Sequence, residues 1–293
     1  MDISEYDQII LNHTKYGRFF YFFRLPQVLL GRCRWLEDYC LTPPVRNEVA
    51  FKLCSGWACA YPAGLMFEPS TLFDLSQTGH AALFDGCQYA WEALARIAGY
   101  VAARARPQLR NRCEGTAYIG EQVSIGEGTV LEDGVMILGP AIIGRNCQIR
   151  HNAYLRQNVV IGDDCVVGNA TEVKNSILFN QAQAPHFNYV GDSILGFKAH
   201  LGAGVKISNF KVFSGNVTVE MDGRPFDTGL RKFGALLGDH CEVGCNAVLS
   251  PGSILGRESV VYPNVAWRGI LPDRMIVKNK AAQEVVPRRA RGC

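Results

Sequence analysis

The sequence predicts a parallel β-helix of hexapeptide repeats over residues 118–293, and two observations support that prediction. An apolar residue recurs at every sixth position along the C-terminal half of the chain. A small or β-branched residue follows most of these apolar anchors by four positions. An amphipathic helix requires a period of 3.6 and a half-buried strand a period of two. A sustained period of six instead indicates a coil in which each turn buries its apolar face against its neighbours.

The anchors form one long run and resume after two breaks. The run contains Ile119, Ile125, Leu131, Ile137, Ile143, Ile149, Leu155, Ile161, Val167, Val173 and Phe179. It resumes with Leu195, Leu201 and Ile207, and then with Leu237, Val243, Leu249, Leu255, Val261 and Trp267. Three sides of six residues predict a coil of about eighteen residues.

The residues four positions after the anchors form a small series that contains several cysteines, and glycine often follows an anchor directly. The small series includes Cys147, Cys165, Ile177 and Cys241, so we expect those cysteines to be buried thiols rather than nucleophiles. Glycine follows many anchors, as at positions 120, 126, 144, 162 and 168, which predicts corners with unusual backbone angles.

Two segments interrupt the repeat. Residues 180–188 (NQAQAPHFN) are predicted to leave the coil as a loop that carries His186. Residues 209–233 are predicted to contain a hairpin that turns at Asp222-Gly223. Excursions from a solenoid are often on its binding face.

The N-terminal third is not repetitive. Residues 1–67 are predicted to be a small cap or packing segment, and residues 68–117 a connection with a helix from about Ala81 to Ala105, ended by Pro107. A loose cysteine cluster has spacings that favour free thiols over a zinc site. It comprises Cys33, Cys40, Cys54 and Cys59.

Composition narrows the class of protein. The 293 residues have a net charge of +3, which argues against nucleic acid as the main partner. Apolar residues make up 48% of the chain, enough for a sizeable core, but no window has the continuous apolar run of a membrane span. The first residues lack the layout of a signal peptide. We therefore expect a cytoplasmic protein with no membrane partner.

Four residues of the coil are candidates for chemistry. His186 could accept a proton near neutral pH, and Glu172 could hold its ring in one tautomer. Arg156 and Lys174 each follow an anchor and lie 18 residues apart, so they should stack at one corner. Paired cations are costly unless an anion lies between them. Solvated surface charge explains their spacing equally well.

Several stretches resemble the acetyltransferase domain of GlmU-type enzymes, over roughly residues 118–280. They read TEVKNSIL, HFNYVGD, LGAGVKISNF and RKFGALLGDHCEVGCNAVL, and they look most like archaeal-type bifunctional sugar-1-phosphate nucleotidylyltransferase/acetyltransferases. The resemblance implies a left-handed β-helix and a homotrimer with active sites between subunits. It implies N-acetyl transfer from the co-substrate acetyl-CoA to glucosamine 1-phosphate, or to galactosamine 1-phosphate, without a metal, in UDP-N-acetylglucosamine and cell-envelope synthesis. The nucleotidylyltransferase half is absent, so we do not expect UDP-sugar formation.

The resemblance also implies roles for individual residues. His186 would be the catalytic base, oriented by Glu172. The implied sugar-phosphate ligands are Arg156, Lys174, Tyr189, His200, Asn209 and Lys232, and the implied cofactor-binding residues are Ala203, Cys245 and Lys278. His200 replaces an asparagine of the family pattern and Cys245 a serine, which leaves the sugar more open than the reaction.

Three alternatives remain open. An acyltransferase that uses acyl carrier protein on a lipid A precursor would show the same repeat, although Lys174, Tyr189 and Asn209 argue against it. A γ-type carbonic anhydrase needs three zinc-binding histidines, and the spacings of the coil histidines do not form that set. A non-catalytic scaffold or regulatory subunit is equally compatible with the repeat alone.

Overall fold

A computed structural model describes residues 67–221 and 223–279, together with the strands Gln8–Thr14 and Gly17–Phe23. The chain divides into two compact units, residues 1–60 and 61–293. In the first unit the two described strands pair antiparallel. The rest of the predicted cap, its loose cysteine cluster and the tail beyond residue 279 lie outside the described residues.

The second unit is a parallel β-helix whose coils contribute one strand to each of three sheets. Sheet 1 contains Gln108–Leu109, Val123–Ile125, Ala141–Ile143, Val159–Ile161, Ser176–Leu178, Ile194–Leu195, Ala235–Leu237, Ser253–Leu255 and Ile270–Leu271. Sheet 2 contains Arg112–Cys113, Val130–Leu131, Gln148–Ile149, Val166–Asn169, Gln183–His186, His200–Leu201, Glu242–Val243, Val260–Val261 and Ile276–Val277. Sheet 3 contains Tyr118–Ile119, Met136–Ile137, Tyr154–Leu155, Glu172–Lys174, Tyr189–Gly191, Lys206–Ile207, Val248–Leu249 and Ala266–Trp267. The predicted fold class is therefore confirmed.

The interior of the coil is a stack of the predicted anchors. Leu131, Ile149 and Val167, for example, belong to adjacent strands of sheet 2 in register, and all are buried. The small series lies beside them, and Cys165 and Cys241 are buried free thiols, as predicted. Burial raises the pKa of the Cys241 thiol to about 12, so it stays protonated at neutral pH.

One stretch departs from the predicted frame by one residue. Leu178, not Phe179, stacks inward on Ile161, and Ser176 rather than Ile177 occupies the small slot. The sides that begin at Val173 and at Val190 have five residues instead of six, so Leu178 lies one position, and Leu195 two positions, before the place that an unbroken period gives. Phe179 and Ile177 then face outward, where they join a second apolar cluster.

The glycines that follow anchors do not serve the predicted purpose. Positive φ angles occur two residues later, as at Asn146 and Asp164, and not at Gly144 or Gly162. A Cβ on Gly126 would lie 2.6 Å from the carbonyl carbon of Gly144 in the next coil. Close approach of neighbouring coils therefore excludes a side chain there, whereas asparagine tolerates the left-handed turn.

The predicted helix is shorter than the sequence suggested. Helix α1 spans Pro69–Leu72, 3₁₀ turns span Leu75–Gln77 and Ala81–Phe84, and helix α2 spans Glu92–Arg104. Gly86, at a φ of 66°, separates the second 3₁₀ turn from α2, so the predicted start at Ala81 is wrong. The predicted end before Pro107 agrees with the structure.

The outer face of sheet 1 is covered, and this leaves sheets 2 and 3 for function. Val160, Ile194 and Leu236 point outward from sheet 1 and pack in one cluster with Trp91 and Ile97 of the N-terminal helical segment. On sheet 3, by contrast, outward-facing residues such as Tyr118, Met136 and Val248 are exposed.

The second interruption is a hairpin, as predicted. Thr218–Met221 pairs antiparallel with Arg224–Asp227, next to Gly223 at a φ of 73°. Its other turn residue, Asp222, lies outside the described residues. No helix in the described part of the chain is long and apolar enough to cross a membrane.

Candidate active site

His186 lies at the corner between sheets 2 and 3, not in a loop excursion. Gln183–His186 is a regular strand, and Ala184 fills the inward position next to Val167. The predicted interruption at 180–188 is therefore wrong, because alanine at an anchor position hides the repeat. The His186 side chain is exposed, and within the described residues its ring has no hydrogen-bond partner. An exposed imidazole can accept a proton from a ligand.

Asn188 holds the backbone of this corner and was missed by the sequence analysis. It is buried at an inward position, where the preceding coil has Thr171 and the following coil Val205. Its Oδ1 accepts a hydrogen bond from the His186 backbone N–H at 3.0 Å, and its Nδ2 donates to the Gly202 carbonyl at 2.8 Å. An amide in a column of small and β-branched residues was the available signal. Asn188 therefore positions the backbone that presents the imidazole.

Replacing Asn188 with valine is expected to lower the free energy of unfolding by about 1–3 kcal/mol, because the His186 N–H loses its acceptor and the Gly202 carbonyl keeps only the Val205 N–H as donor. Asn188→Thr, which restores an oxygen as at Thr171, should lose less. Urea unfolding measures both variants. Equal midpoints for valine and threonine would contradict this role of the amide.

The residues assigned to the cofactor follow the same corner through successive coils. The Gly204 N–H donates to the His186 carbonyl, and the Asn246 N–H donates to the Ala203 carbonyl. Cys245 is next to Asn246 and exposed. Farther along, Lys278 lies with its Nζ 5.0 Å from the ring centre of Tyr262, whose N–H donates to the strand before Lys278. Ala203 and Cys245 thus lie on one line that starts at His186, and Lys278 lies two coils farther along this corner, one position before the equivalent of Cys245.

The predicted cations share the corner between sheets 3 and 1. Leu155 pairs in register with Val173, so Arg156 and Lys174 occupy equivalent positions in adjacent coils, as predicted. Arg156 Nη1 lies 3.0 Å from Glu172 Oε1, and Lys174 Nζ lies 2.9 Å from an Asp192 carboxylate oxygen. Each cation is therefore paired with a carboxylate, which reduces the cost of placing both there.

Asp192 is the centre of a polar cluster that extends to two other predicted ligands. It accepts hydrogen bonds from Lys174, Asn175 and Asn209. Asn209 also donates to the Tyr189 hydroxyl at 3.3 Å. Burial and then the nearby Glu172 carboxylate raise the pKa of Tyr189, so its hydroxyl stays protonated at neutral pH. Asp192 was not predicted, because its partners come from the coils before and after its own.

The two remaining predicted ligands lie apart from each other. Lys232 is exposed at the base of the hairpin insertion, in a bridge with Phe210 next to Asn209. His200 is on sheet 2, with its Nδ1 2.9 Å from Glu242 Oε2. It lines a surface cleft of about 470 Å³ together with Gln181, Gln183, Lys198 and Glu242.

The geometry separates the candidate residues into two groups on one chain. His186 lies before the start of the sheet 3 strand Tyr189–Gly191, at the corner with sheet 2. Lys174 lies at the end of the adjacent strand, at the corner with sheet 1. The Glu172 carboxylate contacts Arg156, and no hydrogen bond joins it to His186 in the described residues. The described residues include no group of three or more His, Cys, Asp or Glu side chains that could hold a metal.

The fold defines the class of this chain: a hexapeptide-repeat β-helix with an exposed imidazole at one corner and a cluster of ion pairs and amide side chains at another. The family described as the GMPPB C-terminal domain matches residues 137–223. This match contains most of the candidate residues and the start of the hairpin insertion.

Curated relatives narrow the class further. A bifunctional sugar-1-phosphate nucleotidylyltransferase/acetyltransferase of Sulfurisphaera tokodaii is 35% identical over 94 residues, which are 32% of this chain and 23% of that protein. A bifunctional GlmU protein of Methanococcus maripaludis is 34% identical over 95 residues, with the same two coverages. An uncharacterized acetyltransferase of Escherichia coli, YaiX, is 31% identical over 151 residues, 52% of this chain and 66% of that protein.

The resemblance to GlmU-type proteins is thus confirmed for about a third of the chain. The chain spans less than a quarter of the length of the first two relatives. The relatives from Sulfurisphaera tokodaii and Escherichia coli are named as acetyltransferases, which supports an acyltransferase enzyme over a non-catalytic scaffold.

Proposed function

We propose that this protein is a CoA-dependent N-acetyltransferase that acts on an amino-sugar 1-phosphate, with glucosamine 1-phosphate first and galactosamine 1-phosphate second. The observation that carries the proposal is the exposed imidazole of His186, held at a fixed corner by Asn188 within residues 137–223, which match the GMPPB C-terminal domain family. A relative named as a sugar-1-phosphate nucleotidylyltransferase/acetyltransferase supports it. Lys174 would supply a cation, and the amides of Asn175 and Asn209 hydrogen-bond donors, for a phosphate and sugar hydroxyls. The reaction would take place in the cytoplasm and feed UDP-sugar and cell-envelope synthesis.

The chemistry requires one base and one anion site. The sugar amine attacks the thioester carbonyl carbon, and the His186 imidazole takes the proton that the nitrogen loses as the C–N bond forms. The tetrahedral intermediate then breaks its C–S bond, and the imidazolium returns the proton to the leaving CoA thiolate. Arg156 and Lys174 would hold the sugar phosphate, and the line from Ala203 to Lys278 would hold the cofactor.

We further propose that the working enzyme is a homotrimer with sites between subunits. Two features support association with further copies of the chain. The base and the cations lie at opposite ends of the sheet 3 strands, and this sheet exposes apolar side chains such as Met136 and Val248. Glu172 would then orient the His186 of a neighbouring copy. Sedimentation equilibrium tests the assembly, and a fully active monomer would contradict the shared site.

Thiol release from acetyl-CoA tests the activity, with the two amino-sugar phosphates offered separately. Turnover with one of them establishes the reaction and identifies the sugar. Glucosamine without phosphate is the matched control and should react poorly. Absence of turnover with both phosphates would refute the proposed substrate class, and absence of CoA binding as well would favour the scaffold.

Replacing Lys174 with alanine is expected to raise the KM for the sugar phosphate by about 10- to 100-fold, because a charge-assisted hydrogen bond contributes roughly 1.5–3 kcal/mol. The KM for acetyl-CoA should not change. Arg145→Ala is the matched control, since Arg145 also pairs with a carboxylate, Asp163, at a corner elsewhere. Equal effects of the two variants on the KM for the sugar phosphate would show that Lys174 has no specific role.

A further inference from the structure

Phe187 has an unusual backbone conformation for its residue type. Its φ is 52°, in the left-handed region, which bulky side chains adopt at a cost. The equivalent corner positions of other coils carry small or amide side chains. They are Gly134, Asn152, Ala170, Gly204, Asn246 and Asn264. A phenylalanine here therefore has no explanation in the requirements of the turn.

The Phe187 side chain is also exposed. Its relative exposure is 58%, although it follows the candidate base directly, and the centres of the two rings are 6.4 Å apart. The next coil has Gly204 at the equivalent position, so no side chain from there packs on the phenyl ring. Backbone strain combined with exposed apolar surface at a corner disfavours a purely structural role.

The position of the ring indicates what it contacts. It lies where the line from His186 toward Ala203 and Cys245 begins, and the proposed reaction brings the acyl carbon to His186. The reacting acyl group and the adjoining methylene groups of the thioester are the apolar parts of the proposed substrates. The amino-sugar phosphate offers polar groups, which match the Asp192 cluster instead.

We propose that Phe187 is a specificity-determining residue, whose ring forms the apolar wall against which the transferred acyl group packs and which limits its length. This inference rests on the proposed acyl transfer. The left-handed conformation of Phe187 costs free energy, but it places the ring where it discriminates between acyl groups. Strained residues are commonly found at functional sites for this kind of reason.

Phe187→Asn tests the wall, since asparagine suits the left-handed turn and removes the ring. The values of kcat/KM for acetyl-CoA and butyryl-CoA are compared, together with their dissociation constants by calorimetry. We expect the preference for acetyl over butyryl to fall by at least about tenfold, the range that one or two methylenes produce in an apolar pocket. Thermal stability should be equal or higher, and Phe187→Leu should retain part of the preference.

Gln122→Asn is the matched control, because Gln122 is an exposed left-handed residue of an early coil. It should leave the acyl preference unchanged. A Phe187→Asn enzyme that keeps the wild-type preference for acetyl over butyryl would refute the proposed role of Phe187 but not the proposed reaction. Dissociation of the oligomer in Phe187→Asn would assign the ring to a subunit contact and overturn the inference as well. Failure of the wild type to bind either thioester would refute both the wall and the proposed function.

Discussion

Replacing His186 with alanine is expected to lower kcat for acetyl transfer by about 10²- to 10⁴-fold, the contribution that a positioned general base usually makes. The loss should come without a change in folding, because the imidazole is exposed and makes no hydrogen bond in the described part of the chain. Thiol release from acetyl-CoA and a thermal melt measure the two quantities on the same preparation.

His151→Ala is a close control for this experiment. His151 lies at the same corner as His186, two coils earlier, and is also exposed. Its Nδ1 contacts the Asp133 carbonyl at 2.7 Å, so its ring has a local structural role. Full activity in His151→Ala with loss in His186→Ala would assign the base. Full activity in both variants would show that the reaction uses another group as its base.

Replacing Gly168 with alanine is expected to destabilise the protein by about 3 kcal/mol, near the upper end of the range for overpacking. Gly168 lies in the sheet 2 strand that pairs with Gln183–His186, opposite Pro185. A Cβ on Gly168 would overlap the Pro185 carbonyl group, which is backbone and cannot rotate away. The strand that ends at His186 would have to move, so kcat should fall together with stability.

Chemical denaturation measures the stability of Gly168→Ala, and thiol release well below its melting temperature measures its activity. Gly99→Ala is the control, since Gly99 is exposed in helix α2 and a Cβ there would meet no atom within 4 Å. That variant should gain about 0.5–1 kcal/mol from helix propensity. An unfolding midpoint of Gly168→Ala equal to that of the wild type would contradict the close approach of the two strands.

Much of the fold could be predicted because a solenoid repeats one local unit. Each anchor needs only to be apolar and to recur every six residues, so Leu131 and Leu249 report the same environment without knowledge of distant contacts. The hairpin insertion could be recognised from its turn residues in the same way. Local patterns of this kind also show which side chains share a corner, as for Arg156 and Lys174.

The local pattern failed where the period changed or where an anchor was small. The five-residue side after Val173 displaced the frame, which exchanged the roles of Leu178 and Phe179. Ala184 at an anchor position made a regular coil look like an excursion, and His186 was consequently placed in a loop. A helix was predicted too long because Gly86 allows a left-handed turn that periodicity does not register.

The sequence by itself determined the β-helix, since the repeat depends only on residue type and spacing, whereas His186 was suggested as the base by the resemblance to GlmU-type domains. Only the tertiary structure decided which polar groups meet. Glu172 pairs with Arg156 rather than His186, Asp192 collects donors from neighbouring coils, and Asn188 holds the base from inside the coil. Such contacts join residues of different strands and coils, so they depend on how the coils stack, and a one-residue change in the repeat is enough to alter them.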